Sequence, residues 1–274
     1  MSVTTGAVFN NVWGSSITLN SLQINSGALM ETDLDDISVL NPINLAGTLR
    51  INGDGTNSNQ INGVGVLEIA NSVAVDNLAY LQLSQLKINS GSVFMTDIEN
   101  VDATNGIYND GLLTINAGGT IGNAIEGTGE LEIDSGVINS ASITQSTITI
   151  NSGATFETDA SLLTVSNSIV NNSQMFFTGG TNNNDITGPG DLFNSGTIIN
   201  NGDIDQGSFH VTSGIFTNNG EITASNMFIS DVATLLTTNM LDTFSAGGAI
   251  YNDGLLQVDV DSTTATVDNA NLLT

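Results

Sequence analysis

Cysteine is absent from the 274-residue chain, and proline, aromatic residues and positive charge are scarce. Without cysteine the protein has no disulfide bond, no thiolate nucleophile and no thiolate metal site. Two prolines and 5% aromatic residues stand against 30 glycines and many asparagine, serine and threonine residues. The chain is nevertheless 39% hydrophobic, which is enough to bury a core and excludes disorder on grounds of composition.

Positive charge is limited to Arg50 and Lys87, against 28 acidic residues, so the net charge is -26. A protein that binds nucleic acid needs several Lys and Arg side chains to displace counterions from phosphates, and an anionic membrane surface makes the same demand. The composition therefore excludes nucleic acid as a partner and argues against binding to such a membrane. A surface this acidic attracts divalent cations and cationic partners instead.

Long hydrophobic runs are also lacking. No stretch of 18 apolar residues is present, so we expect no membrane-inserted helix. The first residues, MSVTTGAVFNNVWGSS, have neither the basic nor the apolar region of a secretory signal. A signal missing from this chain, export by another route and an intracellular location are all compatible with that beginning.

Internal repetition at a long interval is the main feature that the chain does have. The first motif occurs as LQINSGALMETD, LKINSGSVFMTD and ITINSGATFETD, which begin at Leu22, Leu86 and Ile148. The second motif, G-T-x-x-N-x-I-x-G-x-G-x-L, begins at Gly55, Gly119 and Gly180. Both motifs recur at an interval of about 62 residues. This interval indicates four super-repeats, at approximately 22–85, 86–147, 148–208 and 209–274.

Shorter steps inside each super-repeat predict the fold. Segments such as LQI, LKI and ITI alternate apolar and polar residues and are bounded by Asn, Ser and Gly, as strands are. The first of these segments end at Ile24, Ile51, Ile69 and Ile88, which is one long step followed by two short ones. We therefore predict an all-β protein, a right-handed parallel β-helix (β-solenoid) of about a dozen coils in a single domain over 1–274. Each super-repeat of ~62 residues is predicted to form three coils.

Asn and Gly after the predicted strands mark the corners of the coils, because both residues tolerate left-handed backbone angles. The Asn side chains of stacked corners are also expected to form ladders. The predicted structural turn positions are Asn25, Gly27, Asn89, Gly91, Asn151, Gly153, Gly63, Gly65, Gly127, Gly129, Gly188 and Gly190.

Acidic residues follow the NSG corner in the first three super-repeats. If each super-repeat forms three coils, equivalent acids lie about 14 Å apart on one side of the solenoid. Calcium–oxygen bonds are only about 2.3–2.6 Å long, so one ion cannot bridge that gap. A calcium site within one copy is the remaining option, with Asp33, Asp35, Asp36, Asp97 and Glu99 as candidate ligands. The alternative is a solvated acidic ridge without a cofactor.

A family resemblance follows from the segments GTLRING, GTGELEIDSG, NSGTIINNGDI and GIFTNNGEI. They resemble the repeats of autotransporter passenger domains and of filamentous-haemagglutinin-like adhesins, and the resemblance runs through most of the chain. It implies a right-handed β-helix, export to a bacterial surface and an adhesive or structural role. The chain shows neither the signal peptide nor the C-terminal translocator of that family, so it is either a passenger fragment or a different protein built from similar coils.

Enzymatic activity is the least favoured interpretation. Parallel β-helices that cleave acidic polysaccharides need cationic groups, and the candidates here are Arg50, Lys87 and His210. Each is the middle residue of a predicted strand, where the side chain points outward and is most simply solvated. Paired carboxylates suited to glycoside hydrolysis are available, but among 28 acids the pattern has no specificity. We therefore predict that the protein is not an enzyme.

The ends of the sequence show no clear capping helix or charged loop, which solenoids usually have. We therefore expect a non-enzymatic structural protein, extracellular or on the cell surface, that stacks head to tail on copies of itself into a filament. One alternative is an adhesin stalk that binds a host or surface ligand. The other is a segment of a phage or viral fibre.

Overall fold

A computed structural model describes residues 1–11, 16–237, 244–246 and 248–258, and it confirms the all-β prediction. Strands make up 62% and helices 4% of the residues that the structure describes. The strands run parallel and stack in coils, about 13 turns in all, which is a β-solenoid. The predicted dozen coils is close to this number.

The strands are short, and most have two to six residues. In chain order the first eighteen are β1 (Ser2–Val3), β2 (Val8–Asn11), β3 (Ile17–Leu19), β4 (Gln23–Ile24), β5 (Leu29–Asp33), β6 (Ile37–Val39), β7 (Ile43–Leu45), β8 (Thr48–Gly53), β9 (Gly55–Asn57), β10 (Ile61–Gly63), β11 (Val66–Ile69), β12 (Ala74–Asn77), β13 (Leu81–Leu83), β14 (Gln85–Ile88), β15 (Val93–Asp97), β16 (Val101–Ala103), β17 (Ile107–Asn109) and β18 (Leu112–Ala117).

Longer strands appear in the second half of the chain. They continue as β19 (Gly119–Ile121), β20 (Ile125–Glu126), β21 (Glu130–Ile133), β22 (Gly136–Asn139), β23 (Ile143–Ile150), β24 (Thr155–Asp159), β25 (Leu163–Asn171), β26 (Gln174–Asn182), β27 (Ile186–Thr187), β28 (Asp191–Asn194), β29 (Ile198–Asn200), β30 (Ile204–Val211), β31 (Gly214–Asn218), β32 (Ile222–Ile229), β33 (Ala233–Thr237), β34 (Phe244–Ala246), β35 (Ile250–Asn252) and β36 (Leu255–Val258). The helices of the described residues are single 3-10 turns at Leu34–Asp36, Ile98–Asn100 and Ala160–Leu162.

Two compact units make up the chain. The first comprises Met1–Glu132 and Ala141–Gln145, and the second comprises Ile133–Ser140 and Ser146–Thr274. The prediction of a single domain stays a prediction, as do the limits of the four super-repeats. The last super-repeat includes residues outside the part of the chain that the structure describes.

In the first unit, each coil adds one strand to each of three parallel columns. β1, β4, β7, β10, β13 and β16 form the first column, and β2, β5, β8, β11, β14 and β17 form the second. In the first two coils the third strands, β3 and β6, pair with each other, and β9, β12, β15 and β18 of the following coils form the third column. The second column aligns Glu31, Arg50, Glu68, Lys87 and Tyr108, so one coil takes about 19 residues.

Inward residues of the columns build the core. Leu67, Leu86 and Ile107 are register partners in the first unit, and each is at most 3% exposed. In the second unit the aligned inward residues of β22, β24, β26, β28, β30 and β32 are Val137, Phe156, Met175, Leu192, Phe209 and Met227. Complete burial of such a side chain contributes about 1.5–3 kcal/mol, so cohesion accumulates coil by coil.

The register corrects the prediction that each super-repeat forms three coils. Ile24 pairs with Leu45 in the first column, whereas Ile51 pairs with Ile69 and Thr32 in the second. The long step between Ile24 and Ile51 is therefore one coil plus the passage to the next column. The first super-repeat, of about 64 residues, exceeds three coils of about 19 residues by roughly one third of a turn, so equivalent motifs lie in different columns.

Candidate functional site

The two strong cations of the chain lie in one ladder of alternating charge on the first unit. One guanidinium nitrogen of Arg50 donates to Glu31 at 2.8 Å, and the other donates to Glu68 at 3.1 Å. The ammonium of Lys87 lies 3.6 Å from the other carboxylate oxygen of Glu68. These side chains point outward, as predicted, but they pair with acids on neighbouring coils instead of standing alone in solvent.

Half-burial makes this ladder stronger than an ordinary surface pair. Burial raises the pKa of Glu68, but hydrogen bonds from Asn89 and Arg50 and the charge of Lys87 outweigh it, and the pKa lies below its usual value. Burial lowers the pKa of Arg50, but hydrogen bonds to Glu68 and Glu31 raise it by more than burial lowers it. The pKa of Arg50 therefore lies above its ordinary value. The carboxylate of Glu68 thus stays ionised and holds both cations.

The acidic candidates for calcium do not form one ridge. Asp33 ends β5 in the second column and is followed by the 3-10 turn that contains Asp35 and Asp36. Asp97 ends β15 in the third column and is followed by the 3-10 turn that contains Glu99. The expectation that equivalent acids lie on one side is therefore wrong, because the repeats change columns.

No three acidic or histidine side chains of the described residues converge in an arrangement that could hold a metal ion. One carboxylate oxygen of Asp36 is buried and has no hydrogen-bond partner, although the residue as a whole is only half-buried. Calcium binding by the acids after the NSG corners therefore stays a prediction, to be tested in solution.

The predicted corner glycines adopt backbone angles that favour glycine. The positive φ angles are +73° at Gly27, +75° at Gly91, +89° at Gly153, +148° at Gly63, +128° at Gly127 and +120° at Gly188. At Gly65, Gly129 and Gly190, a Cβ would lie 2.2–2.5 Å from a backbone oxygen of the preceding coil. The first set of glycines therefore permits a turn, and the second permits close coil-to-coil approach.

The three asparagines of the NSG motifs each bond to the preceding coil, but through different partners. Asn25 donates to the backbone oxygen of Val3 at 2.9 Å. Asn89 donates to Glu68 at 2.9 Å, and Asn151 donates to Asp134 at 2.6 Å. These asparagines therefore tie neighbouring coils together without forming the predicted ladder among themselves.

Asparagine ladders occur elsewhere, in the second unit. The amide nitrogen of Asn182 donates to the side-chain oxygen of Asn200 at 2.7 Å, and Asn200 donates to Asn218 at 2.8 Å. All three side chains are at most 2% exposed. The residues that follow them, Asn183, Asn201 and Asn219, form a second ladder at 2.8 Å per step on the exposed side.

A column of five stacked rings crosses the second unit, and the sequence analysis did not predict it. Consecutive centroid distances are 4.7, 4.4, 4.5 and 4.9 Å, and the planes of neighbouring rings differ by 7–19°. The members are Phe176, Phe193, His210, Phe228 and Tyr251. We call them the ring stack. Their recurrence about one coil apart was the signal in the sequence, but coils of unequal length obscured it.

His210, a candidate for holding an acidic polysaccharide, is the middle ring of this stack. Its imidazole is covered on one face by Phe193 and on the other by Phe228. Burial lowers the pKa of His210, the charge of Asp191 raises it, and the net shift is downward. The imidazole is therefore mainly uncharged at neutral pH. Arg50 and Lys87 belong to the first unit, where both pair with Glu68.

Comparison with family models, with curated proteins and with solved structures finds no match to this chain. Among the described residues, no helix has the length and apolar character needed to cross a membrane. The fold is therefore the firm basis for function: a β-solenoid fits a structural or adhesin-like repeat protein.

Proposed function

We propose that the protein is a non-enzymatic structural β-solenoid, located outside the cell or on its surface, that stacks on copies of itself into a filament. The proposal rests on the fold, on the contacts between coils and on the resemblance of the repeats to surface-exposed adhesins. Its mechanism is mechanical and needs no cofactor. The resemblance is the sole support for the extracellular location.

Like-on-like stacking between coils is the observation that carries the proposal. In the asparagine ladder, the amide of Asn182 donates to Asn200 on the next coil, and Asn200 donates in turn to Asn218 on the coil after that. The backbone repeats this relation, since Ile198 to Asn200 align in parallel with Phe216 to Asn218. A coil therefore presents on one side the groups that it receives on the other, and a second copy of the chain can be added in the same way.

The stiffness of such a filament comes from two sources. Backbone hydrogen bonds run from coil to coil in every column, for example from Asn201 N to Asn182 O at 2.8 Å and from Asn219 N to Asn200 O at 2.7 Å. The interior between the columns is filled by fully buried Ile, Leu, Val and Phe side chains. A protease therefore has few unpaired strands to bind. To release one inner coil, its contacts with the coil before it and with the coil after it must both break.

Negative-stain electron microscopy of the purified chain tests the proposal directly. Polymers that lengthen with protein concentration support stacking. Separate particles at every concentration contradict it and favour the adhesin stalk, which binds a surface ligand as a monomer. A trimer in analytical ultracentrifugation also contradicts it and favours the fibre segment.

Calcium enters the same experiment as a variable. Millimolar Ca²⁺ is compared with Mg²⁺ and with a chelator, in the wild type and in an Asp33→Asn/Asp35→Asn variant. Promotion of polymers by Ca²⁺ that is lost in this variant assigns the effect to the first acidic turn. Asp231→Asn is the matched control, since Asp231 is an exposed acid far from that turn in the chain.

A further inference from the structure

The ring stack forms a half-exposed aromatic ridge on the second unit. Its rings come from β26, β28, β30, β32 and β35, which pair in parallel and in register. Because neighbouring rings cover each other's faces, the three inner rings present only their edges to solvent. The first four rings are half-buried and Tyr251 is 54% exposed. Four steps at the inter-strand spacing give a ridge about 19 Å long.

Small polar side chains flank the ridge on each side. On one side Asp191, Ser208 and Asn226 are register partners two residues before the rings. On the other side the hydroxyl of Ser195 donates to the backbone oxygen of Phe177 at 3.3 Å, and that of Thr212 donates to Asn194 at 2.7 Å. Both hydroxyls bond to the backbone of the neighbouring coil.

Three acidic residues lie near the ridge, and no lysine or arginine of the chain belongs to this unit. The second unit holds fourteen of the 28 acidic residues, whereas Arg50 and Lys87 are both in the first. Glu157 is the register partner of Phe176 and continues the column beyond the first ring. Asp191 lies on the same face of its strand as Phe193, and the exposed Asp253 follows Tyr251 by two residues.

We propose that the ring stack is a binding site for an elongated, planar aromatic cation, which lies on the ridge with its long axis along the stack. A flat ligand that covers three or four ring edges buries apolar surface along the ridge. The carboxylates of Glu157, Asp191 and Asp253 select a positive charge over a negative one.

Thioflavin T, a planar monocation, is a suitable probe with the full-length chain. We expect saturable binding of one dye per chain, with enhanced fluorescence, and no binding of the planar dianion Congo red at the same ionic strength. Phe193→Thr and Phe228→Thr each interrupt the ridge and should weaken dye binding about tenfold. Phe193→Leu keeps apolar volume without the flat ring and provides the comparison if the threonine variant folds poorly.

Tyr108→Thr is the matched control, because Tyr108 is a 37%-exposed aromatic residue on the first unit, outside the stack. It should leave dye affinity unchanged, and Asp191→Asn should weaken it by about threefold through loss of one charge. Equal binding by the wild type and by Phe193→Leu and Phe228→Thr would overturn the proposal. Dye bound only by sedimenting polymer would also overturn it, because the site is complete within one chain. Preferred binding of Congo red would refute the role of charge.

Discussion

At the scale of single residues, glycines set how closely successive coils approach. In each G-x-G motif the first glycine has positive φ, and a Cβ there would lie 1.9–2.4 Å from a backbone oxygen of the preceding coil. These oxygens belong to Leu45, Asn109 and Asn171. No L-residue with a side chain fits such a contact without a shift of backbone, so the motif is a packing requirement of the coil interface.

Gly63→Ala should therefore be markedly destabilising. Its Cβ would lie 1.9 Å from the oxygen of Leu45, and its φ of +148° is unfavourable for alanine. We expect the free energy of unfolding to fall by about 2–3 kcal/mol, measured by urea denaturation followed by circular dichroism. Gly122→Ala is the control, because no atom lies within 4 Å of its Cβ position, and it should change stability by less than about 0.5 kcal/mol. Similar losses in the two variants would show that coil spacing does not depend on Gly63.

Local features of this kind were predictable from the sequence, and side-chain columns were not. Alternation in LKI and ITI gives inward and outward faces directly, and NSG identifies a corner wherever it occurs. The pairing of Arg50 with Glu68 requires knowledge of which residue lies on the next coil. That knowledge depends on coil length, which is not constant: the coil from Gln23 to its partner Asn44 is longer than the coil from Asn44 to Asn62. The same variation concealed the ring stack.

At the scale of elements, the strands of the second column in the first unit are held together on their outer face by alternating charges. The central residue, Arg50, bonds to the coil before it and to the coil after it. Its side chain is 35% exposed, and that of Glu68 is 12% exposed, so the pairs are only partly screened by solvent. Coulombic attraction and hydrogen bonding therefore reinforce each other, whereas the Lys87 pair is longer, at 3.6 Å.

Arg50→Gln should lower the free energy of unfolding by about 1–2 kcal/mol at pH 7, because it leaves Glu31 and Glu68 without their shared cation. Lys87→Gln, which removes the longer pair, is the matched control and should lose less than about 0.5 kcal/mol.

The stability lost in Arg50→Gln should depend on pH, and the ionisation of Glu68 sets the direction of that dependence. Its folded-state pKa is below the ordinary 4.5, so its contribution is fully present above pH 4.5 and is lost as pH falls through the folded-state value. Urea titrations at pH 7 and near pH 3 should therefore show the difference between wild type and Arg50→Gln closing in acid. A difference that stays constant over this range would mean that the ladder does not stabilise the ionised carboxylate.

At the scale of the whole chain, the sequence repeat and the structural repeat differ. Motifs recur at an interval of about 62 residues, whereas the coil of the first unit takes about 19, so successive motifs occupy different columns. Related segments such as those around Glu31 and Met95 consequently face different neighbours, Arg50 in one case and Thr114 in the other. Duplication of a super-repeat therefore distributes its acidic turns around the solenoid instead of aligning them.

Disulfide trapping of the register tests this account most directly, because the chain has no cysteine of its own. Gln23 and Asn44 are exposed register partners on neighbouring coils, at a spacing of about 4.8 Å that a disulfide can span. We predict that Gln23→Cys/Asn44→Cys forms an intramolecular disulfide under mild oxidation, seen by mass spectrometry and on a non-reducing gel. If Ile24 and Ile51 were register partners on successive coils, Gln23 would pair with Arg50 instead. The Gln23→Cys/Arg50→Cys variant should therefore stay reduced. Efficient crosslinking of the second pair and not the first would contradict the register and the solenoid built on it.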